Sequence, residues 1–490
     1  MKRNYVLAVL FFLFLQLSLY SQPITQVTGF GTNPGALNMY VYVPPGISGA
    51  APLVVAMHGC TENANMYATQ TGWNKLANLH KFYVIYPEQV SANNSSLCFN
   101  WFDTTDVNRN VGEALSIKQM VDYMKANYSI VDSSVFVTGL SAGAAMTTVM
   151  IAAYPDVFNK GAVMSGLPYK AATSASTALN AMNGFVTMTP AQWGALVKAQ
   201  NPTFKGAYPK VMITQGLSDF TVSPTNATEL IKQWTYLNHA DQTVDSTNNS
   251  FQGNANVALI IYNDSNKNPV VYCYKITGMP HGIAVDTGSC PRQGGATGTY
   301  AIMEPGFHST YWAADFFKLI PNPYSITGLI SVALSATGVT YSVPSTSGST
   351  YTWTVPAGAV IVSGQGTNSI TVNFGTHSGY VSVTETTKAG CKNDPANLYV
   401  SVGISTGIAE VNQSEGKMYY NSSENSIHTE NIPASAFKTV HIYNLLGQDC
   451  TPVFSVQGNT LFLQKKLSNS IYIISLQDAV RQYAGKIAVF

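Results

Sequence analysis

Apolar residues between positions 23 and about 320 follow two patterns that alternate along the chain. Short continuous apolar runs are typical of strands that are buried on both faces of a sheet. Between these runs, apolar residues recur at helical spacing, as they do from Ile117 to Met124. The alternation predicts a mainly parallel sheet with helices on both faces. The predicted strands are 38–43 at the edge, 53–57, 82–86, 135–137, 161–164, 210–214 and 270–276, and a closing helix spans 308–319.

The apolar period changes to two beyond Pro321-Asn322-Pro323, a stretch that is typical of a linker. Four alternating runs, separated by turn residues, predict a small β-sandwich over 324–403. One of them contains Trp353, which we expect in the sandwich core. The runs are 340–343, 351–355, 370–374 and 380–383.

Residues 407–490 show a third, weaker β pattern, with predicted strands at 440–443, 471–474 and 486–490. The chain is too long for one ordinary domain, so several units are expected. The predicted order is a signal peptide over 1–21, an α/β domain over 22–320 and two small all-β domains over 324–403 and 407–490.

The start of the chain predicts export. Met1-Lys2-Arg3 precedes an apolar run from Val6 to Leu15, and the small residue Ser21 marks a cleavage point, as in a secretory signal peptide. A first membrane helix is the alternative, but the run is short for crossing a bilayer. No later stretch is long and apolar enough to span a membrane, so we expect a soluble, exported mature protein.

Composition narrows the classes of partner. Charged residues are only 10% of the 490 residues, against about 25% in typical soluble domains. The net charge is +1 and no basic tract occurs, which argues against nucleic acid or an anionic membrane surface as a partner. Polar uncharged residues take the place of charges, as we expect for a secreted protein that faces a polymer.

Six cysteines fit an oxidising compartment. The sequence does not fix their connectivity, because six cysteines allow many pairings. We expect Cys60–Cys98 and Cys273–Cys290, with Cys391 and Cys450 apart in the later domains. No Cys-x-x-Cys or His-x-x-x-His spacing occurs, so neither a metal site nor a cofactor is predicted.

The strongest chemical signal is the pentapeptide Gly139-Leu-Ser-Ala-Gly143. It follows a predicted strand and leads into a small-residue run that suits a helix packed under a sheet. Strand, Gly-x-Ser-x-Gly turn and helix are the context of a nucleophile elbow, which holds the serine hydroxyl at the carboxyl edge of the sheet. Ser141 is therefore the predicted nucleophile, and a glycine-rich turn with an idle serine is the alternative.

A serine nucleophile needs an oxyanion hole, and the loop after an earlier strand supplies one donor. We assign it to the N–H of Cys60 in His58-Gly59-Cys60, and the second donor to the N–H of Ala142. His58 is placed near the substrate, although we favour a loop-ordering hydrogen bond over proton transfer for its ring.

The acid and the base should follow the serine in the order Asp or Glu, then His. Asp219 comes after the strand 210–214, whereas Asp241, Asp245 and Asp264 lie in polar stretches that fit less well. His281 comes after the strand 270–276 and the turn Gly278-Met-Pro280. His239 and His308 are the alternatives, and we expect surface or capping roles for both.

A set of short motifs extends across residues 35–320: His58-Gly-Cys-Thr61, Gly72-Trp73, Tyr86-Pro-Glu-Gln89, Cys98-Phe-Asn-Trp-Phe102, Gly139-Leu-Ser-Ala-Gly143, Tyr154-Pro-Asp-Val-Phe158, Gly216-Leu-Ser-Asp219 and Gly278-Met-Pro-His281. Together they resemble the esterase family of poly(3-hydroxybutyrate) depolymerases, close kin of feruloyl and acetylxylan esterases. The resemblance implies an α/β-hydrolase fold, a triad of Ser141, Asp219 and His281, and a bridge between Cys60 and Cys98.

Two details of the sequence concern the substrate side. Trp101 and Phe102 are candidate substrate-facing aromatics, with loop packing as the equally favoured alternative. The histidine loop reads His281-Gly282-Ile283, where family members have a small residue followed by Trp. An aromatic that would line the acyl or polymer site is therefore missing at this point of the chain.

The later domains carry resemblances of their own. The sandwich is similar to the PKD/immunoglobulin-like modules that stand between catalytic and sorting domains in Bacteroidetes enzymes. Residues 407–490 resemble the C-terminal sorting domain of type IX secretion through Ile442-Tyr-Asn-Leu-Leu-Gly447, Ile471-Tyr-Ile473 and Lys486-Ile487. This implies passage through the periplasm, the type IX machinery as a partner, and release or attachment at the cell surface.

These observations predict a secreted serine esterase that acts on poly(3-hydroxybutyrate) or related polyesters and oligomers. A feruloyl or acetylxylan esterase acting on plant polysaccharide is the alternative, because acyl specificity lies in loop shape. A hypothesis of another class is a non-catalytic surface protein whose sandwich binds polymer. An intact set of serine, acid, base and oxyanion donors favours the enzyme.

Overall fold

The computed structural model describes residues 23–320, 325–403 and 417–489, the last range with gaps at 431, 433–435, 438, 445–447, 469 and 478–481. The predicted signal peptide, the linker 321–323 and residues 445–447 of the predicted sorting motif lie outside the described residues. The chain divides into two compact units. The first holds the residues up to Ser325 with the segments Pro344–Thr352 and Thr384–Ala396, and the second holds the rest.

A ten-stranded sheet forms the centre of the first unit, in the order β1-β2-β4-β3-β5-β6-β7-β10-β9-β8. The six strands from β4 to β10 in that order run parallel, and the pairs at both ends are antiparallel. The strands are β1 Thr25–Val27, β2 Asn38–Tyr42, β3 Ala51–Met57, β4 Tyr83–Glu88, β5 Ile130–Leu140, β6 Lys160–Met164, β7 Lys210–Gly216, β8 Ser246–Asn248, β9 Val257–Asn263 and β10 Pro269–Ile276. The prediction of a mainly parallel sheet is confirmed.

Helices cover both faces of this sheet, as the alternating pattern predicted. Leu53, Val55 and Met57 of β3 pack in one core with α3, α4 and α7, while Val54 and Ala56 pack in the other with α1, α2 and α8. The helices are α1 Ala64–Thr71, α2 Trp73–His80, α3 Gly112–Asn127, α4 Ala142–Ala153, α5 Ala175–Met182, α6 Pro190–Lys198, α7 Thr225–Leu237 and α8 Ser309–Phe317, with a 3-10 turn at Phe251–Gly253.

The expectation that Asn38–Tyr42 is an edge strand is wrong. Thr25–Val27 pairs antiparallel with it on the outer side, so β1 is the edge. A strand of three residues is too short to show a recognisable apolar pattern in the sequence. Two further strands, β11 Ile283–Val285 and β12 Ala301–Met303, form a separate parallel pair directly after the predicted histidine loop.

The structure contains two disulfides, Cys60–Cys98 and Cys290–Cys391. The expected pairing of Cys273 with Cys290 is therefore wrong. Cys273 lies within β10 between β7 and β9, and its side chain is fully buried in the core, where burial raises the pKa of the thiol to about 12. Cys290 instead meets Cys391 from the segment Thr384–Ala396, which belongs to the same compact unit.

The stretch predicted to be a sandwich forms two small sheets, β13-β19-β18-β15 and β14-β17-β16. Trp353 is buried and donates its indole N–H to the carbonyl of Thr367 at 2.8 Å, which confirms the expected core position. The strands are β13 Ser331–Ala333, β14 Val339–Ser342, β15 Thr350–Thr354, β16 Val360–Ser363, β17 Ser369–Asn373, β18 Gly379–Thr386 and β19 Ala396–Gly403.

The C-terminal residues that the structure describes also form two sheets, β20-β21-β24-β23 and β22-β25-β26, around a shared apolar core. The strands are β20 Lys417–Asn421, β21 Ser426–Glu430, β22 Thr439–Tyr443, β23 Phe454–Gln457, β24 Thr460–Leu463, β25 Ser470–Gln477 and β26 Gln482–Val489. Across all the described ranges, the chain has no helix with the length and apolarity that crossing a membrane requires.

Candidate active site

Ser141 lies at a sharp corner between β5 and α4. Its backbone has φ 56° and ψ −116°, a sparsely populated conformation for a residue with a side chain. A β-carbon on Gly139 would lie 2.3 Å from the carbonyl oxygen of Gly143, and one on Gly143 would lie 2.4 Å from that of Met57. Both glycines are thus required by close backbone packing, and the strained corner holds the serine at the carboxyl edge of the sheet.

The loop after β3 passes beside this corner. A β-carbon built on Gly59 would lie 3.5 Å from the β-carbon of Ser141. Ala142 is the first residue of α4, so its N–H has no acceptor inside the helix. Among the described residues, no acceptor receives the N–H of Cys60 either. Two donors next to Ser141 are therefore available to a developing oxyanion.

His58 orders this loop and does not face a substrate. Its ring is 0% exposed, Nδ1 donates to the carbonyl of Gly59 at 2.7 Å, and Nε2 accepts the N–H of Gln89 at 3.1 Å. Burial lowers the pKa of His58 to about 4, so the ring is neutral at ordinary pH. The placement of His58 on the substrate side is wrong, and the loop-ordering alternative describes its contacts.

The structure brings Asp219 and His281 together. Asp219 Oδ2 lies 2.8 Å from His281 Nδ1, and Asp219 Oδ1 accepts the N–H groups of Thr221 and Val222 at 2.9 and 2.8 Å. Gln215 donates its side-chain amide to Oδ2 at 3.2 Å. The carboxylate is buried and fixed by these four contacts, so it holds the imidazole with Nδ1–H donating and Nε2 turned away from Asp219.

Backbone contacts place the histidine loop at the end of the sheet. The N–H of Ser218 donates to the carbonyl of Met279 at 3.0 Å, and a β-carbon on Gly216 would lie 2.3 Å from that same oxygen. Ser165, which directly follows β6, donates its hydroxyl to the carbonyl of Gly282 at 3.1 Å. Since β6 is the neighbour of β5, this bond ties the loop of His281 to the strand end next to Ser141.

In the described part of the chain, no hydrogen bond joins the hydroxyl of Ser141 to His281. In serine hydrolases this contact is often long until a substrate is bound. The pair of Asp219 and His281 is therefore complete in the structure, and Ser141 follows β5, which β6 separates from β7 in the same sheet.

The aromatics that were predicted on the substrate side differ in exposure. Trp101 is only 5% exposed and packs in an apolar cluster with Ala142, Trp193 and Val222, whereas Phe102 is half-buried at the edge of that cluster. The Cys60–Cys98 disulfide joins the loop after β3 to the loop that carries these two rings. Phe102 is thus the more accessible of the two, and Trp101 has the packing role that was its alternative.

Several residues around the site escaped sequence analysis. Tyr300 places its ring edge-on to His281 at a centroid distance of 6.0 Å, and it supplies an aromatic where the motif Gly282-Ile283 lacks one. Glu62 accepts the N–H of Gly59 at 2.8 Å. Gln215 and Ser165 support the acid and the histidine loop. Position at the carboxyl end of a strand is the one signal that marks Gln215 and Ser165 in advance.

The described residues contain no group of three or more His, Cys, Asp or Glu side chains that could hold a metal ion. What the arrangement offers is a strained serine, two backbone donors beside it and a carboxylate–imidazole pair on neighbouring strand ends. Such a set can carry out acyl transfer through a covalent intermediate.

Two family models match parts of this chain. A family model described as "Esterase PHB depolymerase" matches residues 37–256, and one described as "PKD-like domain" matches residues 319–400. Poly(3-hydroxyalkanoate) depolymerase C of Paucimonas lemoignei is 49% identical over 297 residues, which make up 61% of this chain and 70% of that protein. Feruloyl esterase B of Talaromyces stipitatus is 33% identical over 285 residues, 57% of this chain and 77% of that protein.

Among solved structures, the acetyl xylan esterase from Aspergillus awamori superposes with a TM-score of 0.50 and 30% sequence identity. The match covers 53% of this chain and 94% of that one. The family match over residues 37–256 contains Ser141 and Asp219, whereas His281 lies beyond its end. The inclusion of His281 in the candidate site therefore depends on its contact with Asp219.

Proposed function

Since the chain belongs to the PHB depolymerase esterase family and is thereby a carboxylic ester hydrolase, we propose that it cleaves poly(3-hydroxybutyrate) or its oligomers with Ser141 as nucleophile. The observation that carries the proposal is the pair of Asp219 and His281, 2.8 Å apart, at the strand ends beside the strained Ser141 corner. The β-rich region over 324–403, which the PKD-like family model matches, is proposed to be a spacer.

The proposed reaction has two halves. His281 Nε2 takes the hydroxyl proton of Ser141 as the oxygen attacks the ester carbonyl, and the N–H groups of Cys60 and Ala142 bind the resulting oxyanion. The protonated imidazole then gives the proton to the departing alkoxide, which leaves as the hydroxyl end of the shortened chain. A water molecule, deprotonated by His281, attacks the acyl enzyme and releases a carboxylic acid and free Ser141.

Asp219 contributes by fixing the imidazole. Its carboxylate accepts the Nδ1–H of His281 and stabilises the imidazolium that forms in both halves of the reaction. Because its two oxygens are held by Thr221, Val222 and Gln215, the carboxylate does not need to reorganise as charge develops.

The choice of a polyester depends on the relative that is 49% identical, whose name states a poly(3-hydroxyalkanoate) substrate. The apolar edge at Phe102 suits the methyl-bearing backbone of such a polymer. Feruloyl or acetylxylan esterase activity is the second candidate, and it is favoured by the relative and the solved structure that are 33% and 30% identical.

Substrate release assays separate the two candidates. We expect the protein to clear suspensions of poly(3-hydroxybutyrate) granules and release soluble 3-hydroxybutyrate oligomers, while ferulate release from arabinoxylan stays at the level of an uncatalysed control. The matched control is the Ser141→Ala variant, which should do neither. Ferulate or acetate release from the polysaccharide, with intact polyester granules, would reverse the assignment.

We further propose that the enzyme is exported and reaches the cell surface or the medium through type IX secretion. Disulfides such as Cys60–Cys98 and Cys290–Cys391 fit an oxidising compartment. In a bacterium that carries the type IX machinery, a chain lacking residues 407–490 should accumulate in the periplasm with its esterase activity intact. Equal release of the full and shortened chains into the medium would contradict a sorting role for these residues.

A further inference from the structure

A buried carboxylate lies on the far side of the oxyanion loop from Ser141. Glu62 is 1% exposed, and its Oε2 accepts the N–H of Gly59 at 2.8 Å. A β-carbon at Gly59 would lie 3.2 Å from this oxygen and 3.5 Å from the β-carbon of Ser141. A single glycine therefore separates Glu62 from the nucleophile, and Glu62 holds the main chain directly before Cys60.

The second oxygen of Glu62 is not used by the fold. Within the described residues, Oε1 has no hydrogen-bond partner although it is buried, and neither has the hydroxyl of Tyr67 on α1. Buried polar atoms are nearly always paired, so an unpaired carboxylate oxygen beside a reactive centre calls for an explanation other than stability. One structural contact to Gly59 would be made equally well by a neutral side chain.

The charge of Glu62 is coupled to that of His281. Burial raises the pKa of Glu62, while the Gly59 N–H and the positive charge of His281 lower it. Four other ionisable groups are close by. Tyr67 lies on α1 and His58 lies on the same loop as Glu62. Asp219 contacts His281, and Glu88 accepts the N–H of Ala64. Of these acidic groups, Asp219 contacts His281 directly, and Glu62 is close enough for the charge of His281 to act on it.

We propose that Glu62 is a positioning residue of the catalytic centre with two effects. Its Oε2 holds Gly59 so that the N–H of Cys60 faces the oxyanion, and its negative charge favours the imidazolium of His281 as Ser141 attacks. The inference rests on the proposed function of this site. Both effects are set up before the reaction, because the carboxylate is buried and fixed by the N–H of Gly59.

The test uses pH profiles of kcat/KM for p-nitrophenyl butyrate. Glu62→Gln keeps an oxygen for the Gly59 N–H and removes the charge, so the acid limb should move to lower pH by roughly half to one unit, with a plateau lowered less than about tenfold. Glu62→Ala also loses the Gly59 contact, so kcat should fall by about 10²-fold with little change in KM. Glu62→Asp keeps the charge and should keep the wild-type acid limb.

Glu88→Gln is the matched control, since this carboxylate accepts the N–H of Ala64 and the side-chain amide of Asn38, whereas the N–H of Gly59 binds Glu62. Its acid limb should coincide with that of the wild type. The inference is overturned if the Glu62→Gln limb also coincides with the wild type, or if Glu62→Ala keeps the wild-type kcat. A wild type without esterase activity would instead overturn the proposed function, and labelling by a fluorophosphonate probe shows which of the two has failed.

Discussion

Replacing Ser141 by alanine is expected to lower kcat for p-nitrophenyl butyrate by about 10⁵-fold, while the fold is retained. Among the described residues, the hydroxyl of Ser141 makes no hydrogen bond, so its removal costs no structural contact. The backbone donors at Cys60 and Ala142 remain in Ser141→Ala, and they account for the slow residual hydrolysis that such variants keep. The measurements are the initial rate, the circular dichroism spectrum and labelling by a fluorophosphonate.

Ser116→Ala is the matched control for this experiment. Ser116 is buried in α3 and accepts the N–H of Gly35 at 2.8 Å, so its loss should reduce the free energy of unfolding by about 1 kcal/mol with unchanged kcat. A Ser141→Ala protein that still binds the probe covalently, or that hydrolyses the ester at the wild-type rate, would exclude Ser141 as nucleophile.

The positions of Ser141, Asp219 and His281 follow from the sequence because each lies at the start of a chain segment that follows a buried apolar strand. Parallel strands bring their carboxyl ends to one edge of the sheet, so residues that follow different strands meet there. The contact of 2.8 Å between Asp219 and His281, which are 62 residues apart, is of this kind. Long apolar runs fix which strands are central, and the Gly-x-Ser-x-Gly turn fixes where one of them ends.

Contacts between elements cannot be predicted from the sequence where no sequence pattern links the residues involved. Glu62 follows the oxyanion loop as an ordinary polar residue, and only the fold shows that its carboxylate lies behind Gly59. The partner of Cys290 is hidden for the same reason, because the segment that carries Cys391 lies within the predicted sandwich and yet belongs to the first unit. The sequence places His58 near the substrate, and only the fold shows that its Nε2 already accepts the N–H of Gln89.

The substitution Asp219→Asn should lower kcat by about 10⁴-fold without unfolding the protein. Asp219 Oδ1 accepts two backbone N–H groups, from Thr221 and Val222, so the amide oxygen of an asparagine must take that position. The amide nitrogen is then left at the place of Oδ2, facing Nδ1 of His281. As a donor it requires Nδ1 to accept, which puts the ring proton on Nε2, where it cannot take the proton of Ser141.

The local contacts give little relief from this tautomer. In the first orientation the amide nitrogen faces one donor, the side-chain amide of Gln215. A rotation that exchanged the nitrogen and oxygen of the amide would set the nitrogen against two donors, the N–H groups of Thr221 and Val222. Asp241→Asn, in a polar exposed turn, is the control and should leave kcat unchanged. If Asp219→Asn keeps kcat within tenfold of the wild type, Asp219 does not set the tautomer of His281. A loss of kcat/KM that comes from KM alone would likewise exclude this role, because the wrong tautomer affects proton transfer and not substrate binding.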